Sequence, residues 1–132
     1  MLVSEYGGAA ARIEHYLHKG VEGARNVMRH LGILPGEVAA TEGQRVVETL
    51  INVAPNYGGI LLSNFPPDRL GETLPEGTVL GRVINPHTFE EHEEITTPFQ
   101  ENILILTRPS YTNVAPGDYA FMIADAATAS PA

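Results

Sequence analysis

The apolar positions of this chain follow two different periods. Between residues 9 and 31 they fall at Ile13, Leu17, Val21, Ala24, Val27, Met28 and Leu31. Steps of three and four place them along one face of a helix. Gly20 and Gly23 weaken its middle and allow a break near Gly20. Gly32 follows the last apolar position, where a C-terminal cap belongs, and Pro35 with Gly36 closes the segment. From Gln44 onward the period falls to two and turn residues crowd in. Strands are predicted over residues 45–53, 59–62, 79–84, 93–96, 102–107 and 119–124. Short strands punctuated by Pro and Gly point to a compact sandwich or barrel. The small residues beyond 126 predict a flexible tail. The domain reading is a helical arm over 1–36, a β-sandwich over 37–126 and a tail over 127–132.

The strand region repeats itself. Residues 54–62 align with 97–105 at an offset of 43, and residues 74–84 align with 114–124 at an offset of 40. Each half runs strand, Pro turn, apolar strand, loop, Gly turn, apolar strand. Neither half can bury a face alone, but the two can bury faces against each other. The expected fold is therefore mainly β with an N-terminal helical arm, its sandwich built from two half-repeats. Gly77 and Gly117 occupy equivalent tight turns in which a positive φ is expected. The repeat looks like the biotinyl- and lipoyl-carrier type of sandwich, the barrel-sandwich hybrid. Such carriers present a modified lysine at a hairpin tip, whereas Lys19, in the helical arm, is the only lysine here. A covalent carrier role is chemically excluded for the β-region.

Composition removes further classes. The 132 residues suffice for one modest core. Lys+Arg 8 against Asp+Glu 16 gives a formal net charge of −8. Such a surface repels nucleic acid and anionic lipid, and the cations are scattered rather than clustered. The lack of cysteine excludes disulfides, thiolate metal sites and cysteine nucleophiles, and fits a reducing cytoplasmic location. The N-terminus carries no signal-peptide pattern, and no apolar run reaches bilayer-spanning length.

Few constellations carry chemistry. His87-Thr88-Phe89-Glu90 has His-x-x-Glu spacing, and His92, Glu93 and Glu94 follow. On a helix His87 and Glu90 would share a face, as metal ligands require. The segment lies between two strands after Asn85-Pro86, which makes it an acidic surface loop; His87, Glu90 and His92 are weak metal candidates only. His15, His18 and His30 read as helix-surface residues. Ser4, Ser63, Ser110 and Ser130 lack a nucleophile-elbow context, and no Gly-rich phosphate loop occurs. Tyr57 and Tyr111 sit in loops, where packing is the ordinary role and ligand contact the alternative. Glu5, in Ser4-Glu5-Tyr6-Gly7-Gly8, could act as a general base only beside a water or metal that needs one.

Together these segments resemble the C-terminal part of the succinylglutamate desuccinylase/aspartoacylase family of zinc-dependent deacylases. Three stretches carry the likeness: the Glu5 segment, similar to the family's Thr-x-Glu-x-Gly type; residues 20–34, similar to the last helix of its catalytic region; and the repeat from Ala54-Pro55 to Pro116-Gly117-Asp118. The resemblance implies a parent enzyme that hydrolyses the amide of an N-acyl amino acid, a small-molecule substrate, using one zinc. The zinc would polarise the carbonyl and acidify its bound water, and Glu5 would take the water's proton and pass it to the leaving amine. The family's zinc ligands, a His-x-x-Glu pair and a later His, and its substrate-binding arginines lie upstream of the glutamate. His87 and Glu90 follow it and inherit no ligand role. Tyr6 departs from the smaller aliphatic residue usual at its position.

Three expectations follow. The first is a C-terminal domain of such a deacylase, inactive alone because the zinc ligands are absent. The second is a stand-alone, non-enzymatic binding or assembly module. The third is an independent metalloenzyme built on His87, Glu90 and His92. Under the first, the apolar face of Ile13, Leu17, Val21, Val27 and Met28 is expected to pack on the β-region or on another copy, the latter giving a homo-oligomer through the arm.

Overall fold

The computed structural model describes residues 13–39 and 43–131. Two units divide the chain, Met1–Gly43 and Gln44–Ala132, against an expected join at residue 36.

In the first unit, helix α1 spans Ile13–His30 and runs unbroken through Gly20 and Gly23. Its end is a Schellman cap. Gly32 takes φ +71°, its N–H donates to Arg29 O at 3.0 Å, and the Ile33 N–H donates to Met28 O at 2.8 Å. The chain leaving the helix is held by Asn26, whose amide donates to Ala39 O at 2.7 Å and accepts from the Ala39 N–H at 3.2 Å. Along the apolar face, Leu17, Val21, Val27 and Met28 are exposed, as are Leu31 and Ile33 beyond it. The Ile13 side chain lies outside those described. Among the described residues, no helix is long and apolar enough to cross a membrane.

The second unit is built of antiparallel strands: β1 Arg45–Val46, β2 Leu50–Val53, β3 Gly59–Ser63, β4 Thr73–Pro75, β5 Val79–Ile84, β6 Glu91–Thr96, β7 Glu101–Thr107, β8 Thr112–Val114, β9 Phe121–Asp125 and β10 Ser130–Pro131. One four-stranded sheet has the order β2-β9-β7-β4 and the other β6-β5-β3-β8, while β1 pairs β10 separately. The half-repeat correspondence β2/β6, β3/β7, β4/β8 and β5/β9 converts the first order into the second. Register follows it too: Ile60 faces Ile84 and Leu61 faces Val83, as Ile103 faces Ala124 and Leu104 faces Ile123.

The core obeys the same symmetry. Leu61 and Leu104, Leu74 and Val114, Leu80 and Ala120, and Val83 and Ile123 are matched pairs, and all eight are buried in one cluster drawn from both sheets. The matched turns agree as well. Gly77 (φ +71°) and Gly117 (φ +84°) are each third residues of turns, closed by Thr78 N–H to Pro75 O at 3.4 Å and Asp118 N–H to Ala115 O at 3.1 Å.

Three details differ from the sequence reading. The single strand expected over 45–53 is split, because the N–H groups of Glu48 and Thr49 donate to Thr128 Oγ1 instead of continuing a ladder. β4 and β8 form inside the repeat although no strand was predicted at either place. The tail is structured: Asp125 accepts from the Ala127 N–H at 3.0 Å and caps a 3-10 turn at Ala126–Thr128, after which Ser130–Pro131 pairs with β1. Ala132 lies outside the described residues.

Candidate functional site

Outside the core, a polar arrangement joins the β2–β3 turn to the β5–β6 hairpin. It starts from the sequence Asn85-Pro86. Asn85 folds its side chain back, and Oδ1 accepts from the N–H groups of His87 at 2.8 Å and Thr88 at 3.3 Å. This is an Asx turn, the local structure that Asn favours. Two main-chain bonds close the hairpin around it, Phe89 N–H to Asn85 O at 2.9 Å and Asn85 N–H to Glu90 O at 2.8 Å. Phe89 is thereby held at φ +60° with its ring 72% exposed.

β6 then brings His92 and Glu93 against the turn before β3. His92 Nδ1 lies 3.3 Å from Gly58 O, and Nε2 lies 3.3 Å from the Asn85 amide nitrogen. The Tyr57 and His92 rings are tilted against each other with centroids 5.8 Å apart. The Glu93 carboxylate accepts from the Asn56 N–H at 2.7 Å, the Asn56 amide at 2.6 Å and the Tyr57 N–H at 3.3 Å. One strand over, Arg82 sits between Glu91 at 3.3 Å and Glu94 at 3.5 Å. The cluster is a set of mutually satisfied polar groups at the surface.

Each sequence-predicted residue can now be placed. Glu5 lies outside the described residues. His87 and Glu90 occupy the exposed hairpin, where Glu90 accepts from the Thr88 hydroxyl at 3.2 Å. His92 is the first of them to enter a strand, and its two ring nitrogens already have partners. Among the described residues no three His, Cys, Asp or Glu side chains are grouped so as to hold a metal ion. His87, Glu90 and His92, the weak metal candidates of the sequence, are not among any such group. The hairpin turns at Asn85 instead of continuing as a helix, so the His-x-x-Glu spacing does not put its ends on one face.

The other candidates are structural or simply exposed. Ser63 Oγ and Thr107 Oγ1 lie 3.0 Å apart, each within hydrogen-bond distance of Phe65 O, while Ser110 Oγ donates to Ser63 O. No base stands beside either serine in that set. Tyr57 is exposed at the turn, and Tyr111 is 83% exposed. His18 and His30 are exposed on α1. Asn56, Asn85 and Glu93, which organise the cluster, were not singled out by sequence; the Asn-Pro turn signal at residue 85 was the one mark available.

Among the described residues, Arg69 and Glu72 form a pair whose mutual hydrogen bonds shift the titration of both. Two hydrogen bonds, at 2.8 and 2.5 Å, join them, and the Arg69 guanidinium also lies 4.3 Å from the centre of the Phe65 ring. The hydrogen bonds from Arg69 hold the Glu72 carboxyl below its ordinary range. The same bonds raise Arg69 above its own.

No family model and no curated protein matches the sequence. Solved structures do match the fold. A succinylglutamate desuccinylase/aspartoacylase from Rhodobacter sphaeroides superposes with a TM-score of 0.73 at 18% identity, over 92% of this chain and 38% of its own. A Shewanella frigidimarina NCIMB 400 protein bearing the same family name gives a TM-score of 0.66 at 15% identity, over 89% of this chain and 31% of its own. The chain thus spans well under half the length of either. At such identities the likeness concerns the fold.

Proposed function

We propose that this chain is the C-terminal part of a zinc-dependent hydrolase that cleaves the amide bond of N-acyl amino acids. The β unit is a barrel-sandwich hybrid of lipoyl-carrier type that shapes substrate access and assembly, and the chain alone is inactive. The observation that carries the reading is the fold match, which runs through 92% of this chain within a structure named for the desuccinylase/aspartoacylase family. Two further features support it. The family's resemblance in the sequence extends over the helix and the repeat together, and a second fold match, over 89% of this chain, bears the same family name. Zinc in the whole enzyme would be held by residues outside this chain, so no step of amide hydrolysis is assigned to the β unit. Glu5 is the proposed general base. The exposed apolar face of α1 supports assembly through the arm.

The test pairs chemistry with coding sequence. Zinc is measured by elemental analysis on the purified chain, and hydrolysis of N-succinyl and N-acetyl amino acids is assayed on the same sample with and without added zinc. The expected result is neither bound zinc nor turnover, with the reading frame upstream of Met1 continuing into a His-x-x-Glu segment. One zinc per chain with turnover would overturn the proposal. A ribosome-binding site immediately before Met1 would favour the stand-alone module.

A further inference from the structure

We propose that the free edge of β2 is a pairing site for a second copy of this chain, whose own β2 lies antiparallel to it and continues the sheet across the two molecules. The inference does not depend on the deacylase reading. It starts from the strands that end the two sheets, β2 and β4 in one and β6 and β8 in the other. A sheet edge presents unpaired main-chain N–H and C=O groups, and native edges are guarded by charge, proline, bulges or brevity. Three of these edges are guarded. β6 carries Glu91, Glu93 and Glu94, and its register on β5 shifts twice. β4 is three residues long and ends in Pro75, and Arg45 donates to Gly71 O and Thr73 Oγ1 beside it. β8 is three residues long and runs into Ala115-Pro116.

β2 is the exception. It is the counterpart of β6 in the other half, yet it reads Leu50-Ile51-Asn52-Val53, with no charge, no proline and an unshifted register on β9. Leu50, Ile51 and Asn52 are exposed, and so is Val46 on β1. An unguarded apolar edge is the kind that pairs with another chain.

The main chain of β2 is set for pairing with itself. The Asp125 N–H donates to Thr49 O and the Ala120 N–H to Val53 O, so Thr49 and Val53 turn their carbonyls toward β9. Antiparallel ladders alternate. Ile51, midway between them, also faces β9, which leaves the N–H and C=O of Leu50 and Asn52 directed to the free edge. One two-fold register uses all of these groups. Leu50 lies opposite Asn52 of the second copy, Asn52 opposite its Leu50, and Ile51 meets Ile51 across the axis. Such an isologous contact closes at a dimer instead of growing into a fibre. It also suits a chain of net charge −8, because the copies meet where neither carries charge. Glu48, just before the strand, falls opposite Ala54 of the second copy, and the two Glu48 residues stand about 20 Å apart along the ladder.

The test is sedimentation velocity of the whole chain from about 10 µM to 1 mM, since an interface this short binds weakly. Amide hydrogen exchange is measured at both ends of that range. A monomer–dimer equilibrium is expected, with the Leu50 and Asn52 N–H groups exchanging about tenfold more slowly at the higher concentration. Asn52→Pro removes a free-edge N–H without touching the β9 ladder and should weaken association about tenfold or more. Ile51→Lys and Ile51→Glu should each stay monomeric, and their mixture should pair, because opposite charges then meet across the axis. A chain that remains monomeric at about 1 mM would overturn the proposal. So would a dimer whose Leu50 and Asn52 amides exchange as they do in the monomer, or a charge-swapped mixture that does not pair. Association that survives Asn52→Pro and Ile51→Lys but is lost in Val21→Lys would overturn it too, and would place the interface on the arm.

Discussion

Gly81 and Phe121 hold corresponding positions in the two half-repeats, and they meet each other. A Cβ on Gly81 would lie 3.1 Å from Phe121 Cζ and 2.7 Å from Leu62 O. Phe121 is wholly buried in the shared core. A quasi-two-fold core brings equivalent residues together near its axis, and two large side chains would not fit there. One half supplies the ring and the other supplies the space.

Gly81→Ala should therefore be destabilising by about 2 kcal/mol, since close-packed interiors resist an added methyl and the nearest obstacle is backbone. Phe121→Ala should cost about 3–5 kcal/mol through lost burial and a cavity. The pair should couple: Phe121→Leu in the Gly81→Ala background should cost less than Phe121→Leu alone. Urea unfolding of the four proteins measures this, and strict additivity would contradict the packing relationship.

Asn102 is the buried polar group on which the β7 end depends. It is inaccessible, accepts from the Phe99 N–H at 2.9 Å, and donates to Phe99 O at 2.7 Å and Leu74 O at 3.2 Å. Its counterpart in the other half is Gly59, which has no side chain to do this. Asn102→Leu should cost about 2–3 kcal/mol in denaturant unfolding, because main-chain groups of Phe99 and Leu74 lose their partners in a dry site. A loss below about 0.5 kcal/mol would mean that water replaces the amide.

These relationships were partly legible in the sequence. The offsets of 43 and 40 anticipated the exchange of one sheet's strand order into the other's, and Gly77 and Gly117 marked the matched turns. β4 and β8 were harder to see because three residues are too few to show a period of two. The end of the chain looked featureless because its order comes from partners far away in sequence, Glu48 and Thr49 on Thr128, and β1 on β10. At the candidate site, attention to His87 and Glu90 followed side-chain chemistry. What joins the turn to the strand after the hairpin is instead the Gly58 carbonyl beside His92 and the N–H groups of Asn56 and Tyr57 on Glu93, while two main-chain N–H groups on Asn85 shape the hairpin itself. Main-chain groups have no letter in a sequence.

Glu72 gives a pH prediction. Its carboxyl is held low chiefly by hydrogen bonds from Arg69. A carboxylate with a depressed folded pKa contributes stability above its ordinary range and loses it as pH falls through the folded value. Carbon-detected NMR titration should find Glu72 deprotonating below the ordinary carboxylate range, and Arg69→Met should move it up toward that range. The pair is exposed, so the accompanying change in overall stability should be small and should fade with salt. An unmoved Glu72 in Arg69→Met would mean that the pair does not persist in solution.

Tyr111 shows how the symmetry imposes a backbone on a residue that does not suit it. Its N–H donates to Leu61 O at 2.7 Å with φ +66°, just as Gly71, the matched residue, donates to Leu104 O at 2.8 Å with φ +89°. A tyrosine in the left-handed region carries strain on the order of 1 kcal/mol, and its ring is too exposed to recover much by packing. Replacing it with the residue its twin already has should relieve that strain, offset in part by the freedom glycine gains when unfolded. Tyr111→Gly should therefore leave the melting temperature unchanged or raise it by a few degrees. Tyr111→Val, with its branched Cβ, should lower it by about 1–2 kcal/mol equivalent. If glycine were instead the more damaging substitution, the Tyr111 ring would have to be held in a contact beyond the described residues, and the protruding aromatic would be an occupied surface.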